Sequence, residues 1–309
     1  MGNIGYCCIC LSQPDLSTNR TMVKRTFQQK GIAYASELAL KNVNDLYKIL
    51  QWNSGKGIKL FRMSSDMFPW ASEYSINDLP DYADIYARLA ECGQLAWQED
   101  MRLTFHPGPF NVLCSPNPKV VDNTIKDLEI HGQIMDIMGL QRSYYNPINI
   151  HCNGVFGDKI ASMDRFVANF ARLSESVRTR LVVENDDKAS MYSVSDLTYL
   201  HRKIGIPITF DYHHHKFCTG GQSEEEALKL AASTWPCTPI VHYSESKALH
   251  ESDSKIKPQA HSDYINSLPD TYGLDVDIEV EAKQKDLAIL PYLNSTCEYS
   301  GLRTVESYA

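Results

Sequence analysis

Short apolar runs recur along this chain, separated by longer stretches whose apolar positions fall at helical spacing. The runs lie near residues 3–10 (NIGYCCIC), 57–63 (GIKLFRM), 101–106 (MRLTFH), 147–152 (PINIHC), 179–185 (TRLVVEN), 206–212 (IPITFDY), 238–243 (TPIVHY) and 275–282 (DVDIEVEA). Helical spacing occupies 36–51, 82–97, 119–138, 164–177, 194–203 and 224–232, the last with acids crowded into its first turn, where a helix N-terminus favours them. Strand followed by helix, eight times over, predicts one closed parallel (β/α)8 TIM barrel over residues 1–293. Residues 294–309 read as a polar C-terminal tail.

A barrel strand points alternate residues inward and packs the others on helices. Setting Asp211 inward puts Thr209 inward and sends Ile208 and Phe210 out to the helices. The same parity holds for His106 against Leu103 and Phe105, and for His151 against Ile148 and Ile150. It holds again for Glu184 against Leu181 and Val183, His242 against Val241, and Glu281 against Ile278 and Val280. Six strands therefore end in an inward His, Asp or Glu at the C-terminal edge, where barrel active sites sit.

Composition changes the picture little. The 309 residues carry a formal net charge of -8, so no basic domain announces a nucleic-acid partner, although metal ions can reverse the field inside one cleft. No signal peptide and no apolar run of membrane length is visible, which predicts a soluble, intracellular, non-secreted protein. Nine cysteines without a small-domain framework read as reduced thiols. Cys7 and Cys10 have C-x-x-C spacing, but three residues apart in a strand they face opposite sides and cannot clamp one metal.

Imidazoles and carboxylates gathered at one rim suit divalent transition metals such as Mn²⁺ or Zn²⁺. Acids so crowded would repel each other without metal. His214 can join the set through a tight turn after Asp211, and His261 is a further candidate before the last strand. Seven or eight ligands call for two or three ions, the arrangement used for in-line phosphoryl displacement, so a phosphodiester is the expected substrate. His131 and His201, in helical stretches, read as structural, and His213 and His215 as loop neighbours of the site.

The stretches "WNSGKGIKLFRMSSDMFPW" at 52–70, "LTFHPGPF" at 103–110, "SPNPKVV" at 115–121 and "HCNG" at 151–154 are followed by "LVVENDD" at 181–187, "DYHHH" at 211–215, "VHYSES" at 241–246 and "VEAKQK" at 280–285. On these stretches rests a resemblance to the UV damage endonucleases. It implies a metal-dependent endonuclease that incises duplex DNA 5′ to cyclobutane dimers and 6-4 photoproducts, bending the duplex and extruding the lesion. It implies metal ligands at His106, His151, Glu184, Asp211, His214, His242, His261 and Glu281. These would hold two or three ions, Mn²⁺ first, with Mg²⁺, Zn²⁺ or Co²⁺ as alternatives. Glu184, Glu281 and Lys283 are the expected catalytic groups. Tyr6, read as inward at the end of the first strand, Asn19, Arg20, Arg62, Pro109 and Phe110 are the expected DNA and lesion contacts. A monomer acting in the cytoplasm or nucleoid, or in a eukaryotic nucleus, completes the expectation.

Two positions depart from the family pattern. Pro109 stands where a glutamine usually precedes the aromatic, and it cannot hydrogen-bond an orphaned base, whereas Phe110 can still wedge between bases. Ile240, inward two residues before His242, stands where some members carry a lysine that becomes carboxylated and touches the metals. The rival readings are an abasic-site endonuclease of the endonuclease IV kind, a metal-dependent sugar isomerase or epimerase, and a non-enzymatic DNA-binding protein.

Overall fold

Each apolar run forms a four-residue strand in the computed structural model, which describes residues 2–293. They are β1 (Ile4–Cys7), β2 (Leu60–Met63), β3 (Arg102–Phe105), β4 (Ile148–His151), β5 (Leu181–Glu184), β6 (Ile208–Asp211), β7 (Ile240–Tyr243) and β8 (Asp277–Val280). All neighbours pair in parallel, and β8 returns to β1, closing the barrel. The tail assigned to 294–309 lies outside the described residues.

The helices are α1 (Lys24–Gly55), α2 (Tyr82–Gln98), α3 (Pro118–Ile137), α4 (Lys159–Phe170), α5 (Glu175–Arg178), α6 (Val194–Ile204), α7 (Tyr212–His215), α8 (Glu224–Ala232) and α9 (Lys285–Leu293). Local chemistry sets several boundaries. Asn117 caps α3 ahead of Pro118, and capping boxes Ser193/Asp196 and Ser223/Glu226 open α6 and α8. Gly205, at φ 69°, closes α6 in the left-handed conformation that a Cβ would penalise.

Three departures from the sequence reading have physical causes. The first helix starts twelve residues earlier than 36, at Lys24, and is interrupted at Gly31, where φ 64° and ψ -160° are open to glycine. The helix expected over 164–177 is two helices, α4 and α5. The second starts because the Ser174 hydroxyl accepts from the Val177 amide. The seventh repeat has no α-helix among the described residues. Its β7–β8 connection contains only a 3₁₀ turn at Lys247–Leu249. Glu245 ties this segment together, accepting from the Asn266 amide at 2.9 Å and pairing with His250 at 2.6 Å.

The inside–outside parity is as expected in the six strands that end in His, Asp or Glu. Phe61, Leu103, Phe105, Ile150, Val183, Phe210, Val241 and Val280 pack outward in one apolar shell with the helices. Leu60, Val182 and Ile240 form a separate cluster with Trp235. Arg102, fully buried, ion-pairs with Asp277 at 2.9 Å and stacks over Trp235 and Tyr145. No helix among the described residues is long and apolar enough to cross a membrane.

Candidate metal centre at the C-terminal rim

Glu184 sits at the end of β5 with no exposed surface, and four imidazoles surround its carboxylate. His106 Nε2 lies 3.0 Å from Oε2, His242 Nδ1 3.1 Å from the same oxygen, His151 Nε2 3.8 Å from it, and His214 Nδ1 3.1 Å from Oε1. His214 reaches the cluster because the Asp211 carboxylate accepts its amide at 2.7 Å, turning the chain into α7. Its neighbours turn away. His213 packs on Phe217 and His261, and His215 on Phe210. On the far side, Glu281 lies 3.5 Å from His242 Nδ1 and 3.7 Å from His261 Nδ1.

Three overlapping sets of donors result: His106, His242 and Glu281; His106, His151 and Glu184; and Glu184, Asp211 and His214. Within each set the ligand atoms lie within 4.8 Å of one another. Seven of the eight expected ligands are thus brought together, and the eighth, His261, adjoins through Glu281. Several donor atoms are buried with no hydrogen-bond partner: Glu184 Oε1, Asp211 Oδ2, and the Nδ1 atoms of His151, His242 and His261. Burying such atoms unpaired is costly, and divalent ions would satisfy them, so the donor set fits a multinuclear metal centre.

The electrostatics follow from crowding. Burial pushes the Glu184 carboxyl up, but His242, His151, His106 and His214 outweigh it and hold it well below the usual carboxylate range. Burial likewise opposes protonation of His242, yet Glu184, Glu279 and Glu281 raise it to about 9. His106 and His261 go the other way, because burial dominates and lowers them. Burial raises Asp211.

A layer beneath the rim escaped the sequence reading. Glu279 pairs with Arg62 Nε at 2.6 Å, accepts from the Thr104 hydroxyl at 2.9 Å, and lies 3.7 Å from His242 Nε2. Asn149 donates to Glu184, Asn185 brackets Asp211 through two hydrogen bonds, and Asp186 lies 3.3 Å from His151 Nδ1. Parity could have found Glu279 and Asn149, which share the faces of Glu281 and His151. Asp186 lies past its strand and carries no such signal.

The expected DNA contacts divide. Phe110 is 88 % exposed at the tip of the β3–α3 loop, beside exposed Pro109. Lys283 is exposed and lines a cleft of about 230 Å³ with Arg62, His106, His261, Glu281 and Lys285. Asn19 is exposed, and Arg20 pairs with Asp45 at 2.6 Å. Two expectations are corrected. Tyr6 points outward: its hydroxyl donates to Asn53 on α1, its ring packs on Phe61, and none of it is exposed. Arg62 is almost wholly buried, its guanidinium held by Glu279 and Glu281, so it lines the floor of that cleft as a pairing group and not as a free surface contact.

Ile240 faces inward as expected, but in the apolar cluster with Leu60, Val182 and Trp235. His131 and His201 bond backbone carbonyls and are structural. Cys7 faces Arg62 and Glu279, Cys10 adjoins Tyr6, and all eight described cysteines are free.

Fold and site together define a (β/α)8 barrel with a His/Asp/Glu cluster able to hold metal ions at its C-terminal rim. Residues 2–309 match the family model described as UV-endonuclease UvdE, and the chain belongs to that family. It is 35 % identical over 302 residues to a UV-damage endonuclease of Schizosaccharomyces pombe, covering 93 % of this chain and 49 % of that one. It is 31 % identical to a UV DNA damage endonuclease of Bacillus mycoides, covering 98 % and 96 %. The chain thus spans about half the length of the fungal relative and nearly all of the bacterial one. The crystal structure of SacUVDE superposes with a TM-score of 0.84 at 28 % identity, covering 98 % of this chain and all of that one. An L-ribulose 3-epimerase superposes at 0.53 with 13 % identity, a likeness of fold alone.

Proposed function

We propose that the protein is a metal-dependent endonuclease that hydrolyses the phosphodiester 5′ to UV photoproducts in duplex DNA, leaving a 3′-hydroxyl and a 5′-phosphate. The observation that carries this reading is the trio of donor sets linked in series, the first two by His106 and the last two by Glu184, on a chain of the UV-endonuclease family. Bound divalent ions, two or three in number and Mn²⁺ by preference, would supply Lewis acidity and a water acidic enough to attack phosphorus near neutral pH.

The chain's own groups do the rest. His106, His151, Glu184, Asp211, His214, His242, His261 and Glu281 hold the ions. Glu184 and His106, each belonging to two donor sets, would link those sets when ions are bound. Arg62 and Glu279 orient Glu281 and His242 from below. Lys283, at the mouth of the cleft, pairs with the phosphate entering it. Phe110 enters the stack where the lesion leaves, and Asn19 and Arg20 contact the backbone nearby.

The test is strand cleavage. A duplex carrying one cyclobutane dimer is incubated with purified protein and Mn²⁺, with EDTA, and with Glu184→Ala. Nicking just 5′ of the dimer, lost with EDTA and in the variant, is the expected result. An intact dimer duplex beside a nicked abasic-site duplex would move the substrate to abasic DNA.

A further inference from the structure

We propose that Phe156, in the β4–α4 loop, is a second aromatic contact of the DNA-binding rim, stacking on a base or sugar beside the position of Phe110. The inference rests on the DNA-directed reading above. Phe156 follows the strand that ends in His151, and it is 52 % exposed. Its backbone stands at φ 45°, in the left-handed region where a bulky side chain is strained. A half-exposed ring gains little burial in return for that strain, so folding alone does not account for it.

The surroundings hold the ring in place. A Cβ on Gly154, itself at φ 151°, would lie 2.4 Å from the Phe156 ring, so glycine is what admits the ring there. Arg165 stands 5.6 Å from the ring centroid, and its guanidinium is fixed by the Cys114 carbonyl and the Ser162 hydroxyl, each at 2.8 Å.

The loop is also continuous with the Phe110 loop. Asn153 donates to the Asn111 carbonyl at 3.1 Å, the Cys114 thiol donates to the Cys152 and Gly154 carbonyls, and Tyr192 donates to the Gly154 carbonyl at 2.8 Å. Two exposed phenylalanines are therefore presented on adjacent, hydrogen-bonded loops at the C-terminal end of the barrel, after the strands that lead to His106 and His151. Ring stacking is the contact that such side chains offer to nucleic acid, and it tolerates any sequence.

The experiment measures KM and kcat for Mn²⁺-dependent nicking of the dimer duplex, anisotropy binding to the same duplex, and melting temperature. Phe156→Ala and Phe156→Leu should raise KM and the dissociation constant about tenfold, with kcat changed less than about twofold, while Phe156→Tyr and Phe156→Trp restore both. Phe156→Gly should bind as weakly as the alanine variant yet melt no lower than wild type, because glycine accepts the backbone angle. Wild-type affinity in the alanine and leucine variants would overturn the proposal, as would a loss of affinity that tracks a fall in melting temperature. A wild-type protein that binds the dimer duplex without nicking it would defeat the proposed function while anisotropy still decides Phe156. Absence of DNA binding by the wild type would end both.

Discussion

Arg62 and Glu279 form an ion pair of 2.6 Å inside the barrel, directly beneath the donor cluster, and the same guanidinium also reaches Glu281. It is a permanently charged cation among several buried carboxylates. Removing one partner of such a pair costs about 3–5 kcal/mol. Arg62→Met should therefore lower the melting temperature sharply in EDTA and less in Mn²⁺, where ions replace the lost charge. Equal losses in both conditions, read by calorimetry, would contradict this account.

Glu184 adjoins four imidazoles and belongs to two donor sets. Glu184→Gln should reduce the bound metal by at least one equivalent, measured by elemental analysis after desalting. His131→Gln, which changes a histidine bonded to a backbone carbonyl away from the cluster, should leave metal content unchanged.

The pH dependence of the metal-free protein follows from the shifts at the site. His242, raised to about 9, contributes stability that is complete below about 6.5 and is lost as pH rises through about 9. Glu184 and Glu281, held low, contribute stability present above about 4.5 and lost as pH falls through their folded values. His106 and His261, held low by burial, oppose this below about pH 6.5, so EDTA-treated protein should melt highest toward the upper end of the window from about pH 4.5 to 6.5. Mn²⁺ should shift that optimum upward and release protons on binding, since ligating imidazoles must be neutral. Titration calorimetry in buffers of different ionisation enthalpy counts those protons.

Lys283 is exposed at the mouth of the cleft. Lys283→Ala should slow nicking and flatten the dependence of DNA affinity on salt by about one phosphate contact, a change near 0.9 in the logarithmic slope. An unchanged slope together with unchanged turnover would remove Lys283 from the interface.

Phe110 is 88 % exposed and buries almost nothing in the free protein. Phe110→Ala should leave the melting temperature within about 1 °C, as surface substitutions do, while lowering kcat/KM on the dimer duplex. Pro109→Gln should alter the preference among lesions if the residue before Phe110 reads the orphaned base, which competition between dimer and abasic duplexes would report.

All eight strands and most of the cluster were legible because parity is a strong constraint. An inward His106, Glu184 or Asp211 follows from apolar neighbours that must meet the helices. The same rule, applied from the other side, excludes Tyr6. Gly5 and Cys7 face in, and a Cβ at Gly5 would lie 2.3 Å from the Leu60 carbonyl oxygen. Arg62 was misread because a basic residue near a strand end looks like a phosphate contact until the buried carboxylates it neutralises are in view. The β7–β8 connection was illegible for another reason. Its order comes from Glu245 gathering His250 and Asn266, contacts between residues up to 21 apart that no local periodicity records.

Ile240 has a consequence in electroneutrality. With imidazoles neutral, Glu184, Asp186, Asp211, Glu279 and Glu281 bring five negative charges, and Arg62 returns one, leaving four. Two divalent ions cancel that sum. A third would leave the rim two charges positive, because an isoleucine at 240 adds no anion of its own. On the proposed function, a third ion would therefore need an anion from outside the protein, and the phosphates of a bound duplex would be one source.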